Sequence, residues 1–146
     1  MNKSMIRYIM GWVLIFEAAF LVLPIIVGLI YHETQMIPYL IVAFVSGLLG
    51  CCCIYKKPKS HVFYAKEGFV TVSLSWLLIS IVGAIPLTLS KDIPSYVNAL
   101  FETISGFTTT GASILVDVEA LSKTSLFWRS FTHWIGGMGV LVFILA

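Results

Sequence analysis

Residues Thr108, Thr109, Thr110 and Gly111 form the stretch of this sequence that is best suited to binding an ion. A cation that has lost part of its hydration shell needs oxygen ligands at fixed distances, and backbone carbonyls of an extended strand can supply them. Threonine is β-branched and favours extended backbone. Glycine permits the positive φ that turns successive carbonyls toward one axis. The stretch therefore predicts a cation site built from backbone carbonyl oxygens.

A short amphipathic helix is predicted immediately before this stretch, over residues 95–105. Gly106 is expected to end it, and its eleven residues would span about 16 Å, roughly half of a bilayer core. The C-terminal end of a helix carries about −0.5 charge, which favours a cation beside it. Its apolar residues follow the i, i+3, i+4, i+7 spacing of one helix face: Val97, Leu100, Phe101 and Ile104.

Long apolar runs surround these two segments. Three of them cover residues 9–30, 37–55 and 69–89, and a fourth begins near Leu126 and is still apolar at Ala146. About 20 apolar residues cross a hydrocarbon core of about 30 Å. The order span, half-helix, Thr/Gly stretch and span predicts a re-entrant loop. Non-helical backbone is tolerated at membrane depth only where it is buried in protein or lines a water-filled path.

The overall composition also indicates a membrane protein. Of the 146 residues, 59% are hydrophobic and only 11% are charged, whereas a soluble domain carries about 25% charged residues. This disfavours a soluble enzyme or a disordered chain, and a net charge of +2 is too small to indicate nucleic-acid binding. The sequence shows no nucleophile–base pair, metal-ligand cluster or phosphate-binding loop, so we expect no enzyme activity.

The placement of basic residues predicts the orientation in the membrane. The loop over residues 31–36 has none, so the positive-inside rule predicts a cytoplasmic N-terminus. Six of the nine basic residues fall on one side of the predicted spans: Lys3, Arg7, Lys56, Lys57, Lys59 and Lys66.

Several other polar residues have both a structural and a functional interpretation. Glu17 is an ionisable residue at membrane depth, a functional candidate by default, but protonation or a bond to a neighbouring helix is favoured. For Glu102 a structural bond to backbone or to a basic neighbour is favoured over an electrostatic role at the site. His133 beside Trp134 indicates an interfacial anchor rather than a proton relay. The adjacent cysteines over residues 51–53 are interpreted as small packing residues.

Four stretches of the sequence resemble one known family. Residues 98–113, Asn-Ala-Leu-Phe-Glu-Thr-Ile-Ser-Gly-Phe-Thr-Thr-Thr-Gly-Ala-Ser, resemble the first pore loop of TrkH-type potassium uptake proteins, in the Trk/Ktr/HKT superfamily. Residues 66–69 followed by 74–76 resemble the start of the first pore-domain helix of that family, and residues 83–86 resemble its end. Residues 129–139, which include Gly-Gly-Met-Gly, resemble the start of the helix after the loop.

The resemblance implies an all-α membrane protein with a four-repeat, potassium-channel-like fold. Two extra N-terminal transmembrane helices would occupy residues 1–60, and the first helix–pore loop–helix repeat residues 61–146. Within this repeat we expect the first helix at 69–89, the pore helix at 95–105 and the selectivity filter at 108–112. The second helix, 126–146, would be cut short, so we expect an N-terminal fragment that does not conduct alone.

The resemblance also implies a function and partners. The full protein would take up potassium across the bacterial cytoplasmic (inner) membrane as the ion-conducting subunit of a Trk-type system. Thr109 and Thr110 would offer backbone carbonyls to potassium, flanked by Thr108 and Gly111, and glycine at 111 goes with potassium permeation where serine goes with sodium. Expected partners are a second copy in a homodimer and a cytoplasmic nucleotide-binding regulator of the TrkA type. Potassium is the transported ion, and no other cofactor is implied.

Two alternative functions remain open from the sequence. A secondary transporter could use a broken helix at mid-membrane as its substrate site. A non-conducting membrane subunit could anchor a partner protein. The first predicts saturable coupled uptake of a solute, and the second predicts that changes at Thr109 or Gly111 leave ion flux unaltered.

Overall fold

The computed structural model describes residues 3–55, 57–58 and 65–145, and within these ranges the regular secondary structure is entirely α-helical. Lys56 and Lys59, on which the predicted orientation partly depends, and Ala146 lie outside the described residues. This architecture confirms the expected all-α fold. In chain order the helices are α1 (Lys3–Ile30), α2 (Met36–Tyr55), α3 (Ala65–Leu89), α4 (Tyr96–Phe107) and α5 (Lys123–Leu145).

Three of the helices in the described part of the chain are long and apolar enough to cross a membrane. They are Lys3–Ile30, Met36–Tyr55 and Lys66–Leu89. Helix α5 has 23 residues, but its first half carries polar side chains such as Arg129 and Thr132. Helix α4 has 12 residues, about 18 Å of helix, so it reaches only about half-way across a bilayer core.

The short helix α4 differs from the sequence prediction at its C-terminal end. It continues through Gly106 to Phe107, so the expectation that Gly106 ends the helix is wrong. The glycine serves packing instead: a Cβ at Gly106 would collide with the side chain of Thr132 on α5. The left-handed backbone that follows a helix end lies further on, at Thr109 and Gly111.

Helices α1 and α2 form an antiparallel pair that crosses closely at two glycines. A Cβ on Gly50 would lie 2.8 Å from the carbonyl oxygen of Gly11, and a Cβ on Gly11 would lie 2.9 Å from that of Gly50. Both distances are shorter than real Cβ contacts allow. Small residues let helix backbones approach in this way within membranes, where packing drives association. This crossing fixes α1 beside α2, and α1 in turn packs against α3 and α5.

The loop between α1 and α2 holds the beginning of α5. The carboxylate of Glu33 accepts hydrogen bonds from the backbone N–H groups of Lys123 (2.8 Å) and Thr124 (2.9 Å) and from the Thr124 hydroxyl (2.8 Å). The first N–H groups of a helix lack partners within the helix, and a carboxylate also suits the positive end of its dipole. Glu33 thereby supplies, from a distant part of the chain, the cap that lets α5 begin at Lys123.

A second carboxylate, Asp92 in the α3–α4 loop, binds the same end of α5. It accepts hydrogen bonds from the hydroxyls of Ser122 (2.6 Å) and Ser125 (2.5 Å). Ser125 also shares a 2.8 Å hydrogen bond with the fully buried hydroxyl of Tyr39 on α2. Through these contacts, the loops at one end of the bundle set the position of α5 relative to α2 and α4.

We expect Gly50→Ala to lower the stability of the protein by about 1–3 kcal/mol, because the added methyl group overpacks the α1–α2 crossing. Gly47→Ala is the matched control, since a Cβ there meets only the Ala18 methyl at an ordinary 3.7 Å. The control gains helix propensity and should unfold at or above the wild-type temperature. Thermal unfolding in detergent measures both, and equal stability of the two variants would contradict the close crossing.

The Glu33 cap predicts a pH-dependent contribution to stability. Burial raises the pKa of Glu33, but the hydrogen bonds from Thr124 and Lys123 and the Lys123 charge outweigh it and hold that pKa below its ordinary value. A carboxyl with a depressed folded-state pKa stabilises the fold above its unfolded pKa of about 4.3 and loses this effect as the pH falls through the folded value. Wild-type protein should therefore lose stability on acidification in a step that Glu33→Gln lacks.

Melting temperatures measured between neutral and acidic pH test this step. Glu119→Gln, at an exposed loop position, should keep the wild-type profile. Parallel profiles for wild type and Glu33→Gln would show that the cap does not contribute.

Candidate pore loop

The four residues predicted as an ion site lie together just after the end of α4. Thr108 is still close to helical backbone (φ −84°, ψ 0°). Thr109 (φ 55°) and Gly111 (φ 75°) take left-handed backbone. Left-handed backbone is rare for a β-branched residue, so the conformation at Thr109 is costly and must be held by its surroundings. All four residues are exposed.

The backbone N–H groups of this stretch point back into the helix. Those of Thr108, Thr109 and Thr110 donate to the carbonyls of Ile104, Gly106 and Ser105, each at 2.9 Å. Among the described residues, no hydrogen bond ends on the carbonyl oxygens of Thr109, Thr110 or Gly111. The donors are therefore used internally while the acceptors stay free, which suits a cation and not an anion.

Hydroxyl groups form further hydrogen bonds that hold the threonine stretch in place. The Thr108 hydroxyl donates to the carbonyl of Ile104 (2.7 Å) and lies 2.8 Å from the hydroxyl of Thr110. The buried Ser105 hydroxyl donates to the carbonyl of Ala112 at 2.6 Å. These bonds tie the non-helical backbone to the last turn of α4 at two separate points.

Glu102 connects three elements around the site. Its side chain is 1% exposed and forms an ion pair with Arg129 of α5 at 2.9 Å. The other carboxylate oxygen accepts hydrogen bonds from the Ser113 hydroxyl and the Ile114 N–H, both at 2.6 Å. The favoured structural interpretation of Glu102 therefore agrees with the contacts, although the sequence did not indicate that Arg129, Ser113 and Ile114 are its partners.

Phe107, the last residue of α4, packs its ring into the protein interior immediately before the threonine stretch. It is 2% exposed and makes edge-to-face contacts with Trp76 (6.2 Å between ring centroids) and Trp128 (6.5 Å). The indole N–H of Trp128 donates to the carbonyl of Gly83 at 2.9 Å. A buried aromatic cluster between α3 and α5 therefore holds the residue from which the threonine stretch begins.

The glycines at the start of the Gly-Gly-Met-Gly run allow α5 to pass directly behind the loop. A Cβ at Gly136 would lie within 3.0 Å of the backbone of both Phe107 and Gly106. At Gly139 a Cβ would lie 3.2 Å from the Trp76 ring. Gly136 therefore brings α5 against the end of α4, and Gly139 brings it against α3.

The remaining candidates occupy positions apart from the threonine stretch. His133 is half-buried and its Nδ1 lies 2.9 Å from the carbonyl of Arg129, whereas the neighbouring Trp134 is 57% exposed. Cys53 is half-buried beside Gly11, whereas Cys51 and Cys52 are exposed, so within the described part of the chain the interpretation as packing residues fits Cys53 alone. Adjacent residues on a helix face different directions, and here two of the three face away from the bundle.

The sequence singled out two acidic residues whose side chains are buried in the structure, Glu102 and Glu17. Glu17 is 3% exposed, and neither of its carboxyl oxygens has a hydrogen-bond partner in the described part of the chain. Of the two favoured interpretations, the bond to a neighbouring helix has no counterpart within those residues, and protonation of Glu17 stays a prediction.

Comparison with known proteins assigns the chain to a family. The sequence model of the TrkH family, described as a cation transport protein, matches residues 39–146. The chain belongs to the TrkH family of cation transport proteins. Together with the three long apolar helices, this membership makes it a multi-pass membrane protein.

Individual relatives of the TrkH family agree along nearly the whole chain. An uncharacterized cation transporter of Methanocaldococcus jannaschii is 39% identical over 94% of this chain and 29% of its own length. The Trk system potassium uptake protein TrkG of Escherichia coli is 31% identical over 100% of this chain and 31% of its own. The chain thus spans about three-tenths of the length of these relatives.

A solved structure shows the same fold. The crystal structure of the potassium transporter TrkH from Vibrio parahaemolyticus superposes with a TM-score of 0.90 at 32% sequence identity. The match covers 97% of this chain and 31% of that chain. The arrangement of long helices around a half-length helix and a non-helical loop is therefore shared with a TrkH protein.

We expect Glu102→Gln to reduce the free energy of unfolding by about 3 kcal/mol, because it leaves the partly buried Arg129 guanidinium without its counter-charge. The double variant Glu102→Gln/Arg129→Met should lose less than the sum of the two single variants, by at least about 0.5 kcal/mol. Unfolding in mixed detergent micelles measures all three. Additive losses would show that the two side chains do not depend on each other.

Proposed function

We propose that this chain forms the first pore-lining repeat of a Trk-type potassium uptake protein, with Thr108, Thr109, Thr110 and Gly111 as one segment of the selectivity filter. The observation that carries the proposal is the loop itself: its N–H groups are bonded within the protein, while the carbonyls of its central residues are free. The relatives TrkG and TrkH are named as potassium uptake proteins, which supports potassium as the ion.

The geometry explains how such a loop would handle a cation. Left-handed backbone at Thr109 and Gly111 reverses the direction of successive peptide groups, so that neighbouring carbonyls turn toward a common side. Potassium would be held at the carbonyls of Thr109 and Thr110, which replace part of its hydration shell. The C-terminal end of α4 lies directly behind them, and its dipole contributes negative potential.

The proposed division of the chain follows from this assignment. Residues 1–60 would be the two extra N-terminal helices, and residues 61–146 the first helix–pore loop–helix repeat. A single loop presents carbonyls from one side only, and an ion site needs oxygens around the whole ion. We therefore expect conduction to require three further repeats that close the ring.

Location and partners complete the proposal. We infer a cytoplasmic membrane location with the N-terminus in the cytoplasm, supported by Lys3, Arg7 and Lys57 at the same end of the predicted spans. The assembled transporter would be a homodimer that binds a cytoplasmic nucleotide-binding regulator of the TrkA type. It is a transporter and not an enzyme, in keeping with the names of its relatives.

The two alternatives are separated by flux measurements. A secondary transporter with a broken-helix site would show strict coupling of a solute to an ion. A non-conducting subunit would tolerate any change in the threonine stretch. The free carbonyls beside a half-helix favour the filter over both, because backbone carbonyls are the groups with which a filter replaces the hydration shell of a cation.

Gly111→Ser in the assembled transporter is expected to lower the preference for potassium over sodium by about tenfold. No atom lies within 4 Å of the position of a Cβ at Gly111, so the effect does not come from crowding. It comes from the φ of 75°, which costs a side-chain-bearing residue about 1–2 kcal/mol and shifts the carbonyls. Rubidium uptake and growth at limiting potassium measure the preference.

Gly137→Ala is the matched control for this change. It adds a methyl group on α5 that faces the loop, 4.0 Å from the Thr109 methyl, without any demand for positive φ. It should keep wild-type selectivity. An unchanged potassium preference in Gly111→Ser would refute the filter assignment.

A further inference from the structure

A cavity of about 400 Å³ lies between α1, α3 and α5, behind the pore loop. This volume is in the range of sites that hold small organic molecules. Its wall is almost entirely apolar, and five aromatic side chains contribute to it: Phe16, Phe20, Trp76, Phe107 and Trp128. Because Phe107 directly precedes Thr108, the cavity reaches the base of the proposed filter.

One carboxyl lies in this apolar wall. Glu17, near the middle of α1, is 3% exposed and lines the cavity. Its Oε1 atom would lie only 3.4 Å from a Cβ on Gly83, so the carboxyl sits against α3. Neither of its oxygens has a hydrogen-bond partner among the described residues. An ionisable group left unpaired at membrane depth is unfavourable, and such groups are functional candidates by default.

Three hydrogen-bond donors of the cavity wall are engaged elsewhere. The nearby indole N–H of Trp128 is given to the carbonyl of Gly83 at 2.9 Å. The hydroxyls of Thr71 and Ser75, which also line the cavity, donate to the carbonyls of Glu67 (2.7 Å) and Thr71 (2.8 Å). These three donors are therefore not available to Glu17, whose carboxyl has no hydrogen-bond partner among the described residues and is left to meet a ligand in the cavity.

We propose that this cavity binds a hydrophobic organic amine, whose nitrogen pairs with the Glu17 carboxyl while its apolar body fills the aromatic wall. A protonated amine offers the charge-assisted hydrogen bond that a buried carboxylate needs. The faces of the surrounding rings attract a cation as well. If the amine enters neutral, the Glu17 carboxyl passes its proton to the nitrogen, which leaves carboxylate and ammonium as an ion pair. The aliphatic residues Ile9, Val13 and Ile79 cover the rest of the ligand.

The cavity differs from the proposed filter in the groups that it offers to a ligand. The filter offers exposed backbone carbonyls to a bare cation, whereas the cavity offers one side-chain carboxyl and a wall of rings. A ligand there would contact the side chains of Phe107 and Trp128. Binding at this cavity can be tested without any transport measurement, so its failure would leave the proposed filter untouched.

Binding of tritiated 4-phenylbutylamine to the purified protein in lipid nanodiscs tests the proposal, with 4-phenylbutanol as the uncharged competitor of the same shape. We expect saturable binding of the amine, and at least about tenfold weaker competition by the alcohol, since a hydrogen bond to a charged group contributes about 1.5–3 kcal/mol. Equal competition by amine and alcohol would overturn the proposal. This comparison uses the wild-type protein alone and does not depend on the folding of any variant.

Glu17→Gln supplies the second test. It keeps the size of the side chain but removes the carboxyl, and it should weaken binding of 4-phenylbutylamine by at least about tenfold. Glu119→Gln removes a carboxyl at an exposed loop position and should bind as the wild type does. Wild-type affinity in Glu17→Gln would show that the carboxyl does not recognise the amine and would overturn the proposal.

Discussion

The ion pair between Glu102 and Arg129 is the interaction on which the geometry of the pore loop depends. Glu102 stands on the half-helix before the threonine stretch, Arg129 on the helix after it, and the second carboxylate oxygen holds the backbone at Ser113 and Ile114. Both ends of the non-helical backbone are therefore fixed to one buried carboxylate. Left-handed backbone is unfavourable for a β-branched residue such as Thr109, so it persists only where the surrounding contacts restrain it.

Backbone polarity explains why the loop is built in this way. At membrane depth an unpaired N–H or carbonyl is costly, so non-helical backbone survives only where each group has a partner or a functional reason to lack one. Here the N–H groups of Thr108 to Thr110 return to the last turn of α4. In the proposed filter, the carbonyls left over are the groups that would pair with a permeating cation. Phe107 and the glycines of α5, Gly136 above all, bring the supporting helices close enough to hold this arrangement.

Two further carboxylates, outside the loop, fix the position of α5 in a similar way. Glu33 and Asp92 come from different inter-helix loops, and both bind the first turn of α5. They orient the helix that carries Arg129, and so the position of the Glu102 partner depends on contacts made far from the loop. Glu17 is the exception among the buried carboxyls described: it is unpaired and faces a cavity, which is why it points to a ligand and not to the scaffold.

The sequence by itself determined the helical class, the three long spans, the half-helix and the position of the Thr/Gly stretch. These follow from local periodicity, run length and residue type, which a single chain segment expresses on its own. Only the tertiary structure decided which residues hold the loop. The partners of Glu102 lie 11, 12 and 27 positions away, and Glu33 reaches Thr124 across 91. Local pattern gave no sign of these pairings, because they arise when separate helices pack. The role of Gly106 was misjudged for the same reason, since a glycine that ends a helix and one that admits Thr132 of a neighbouring helix look alike in the sequence.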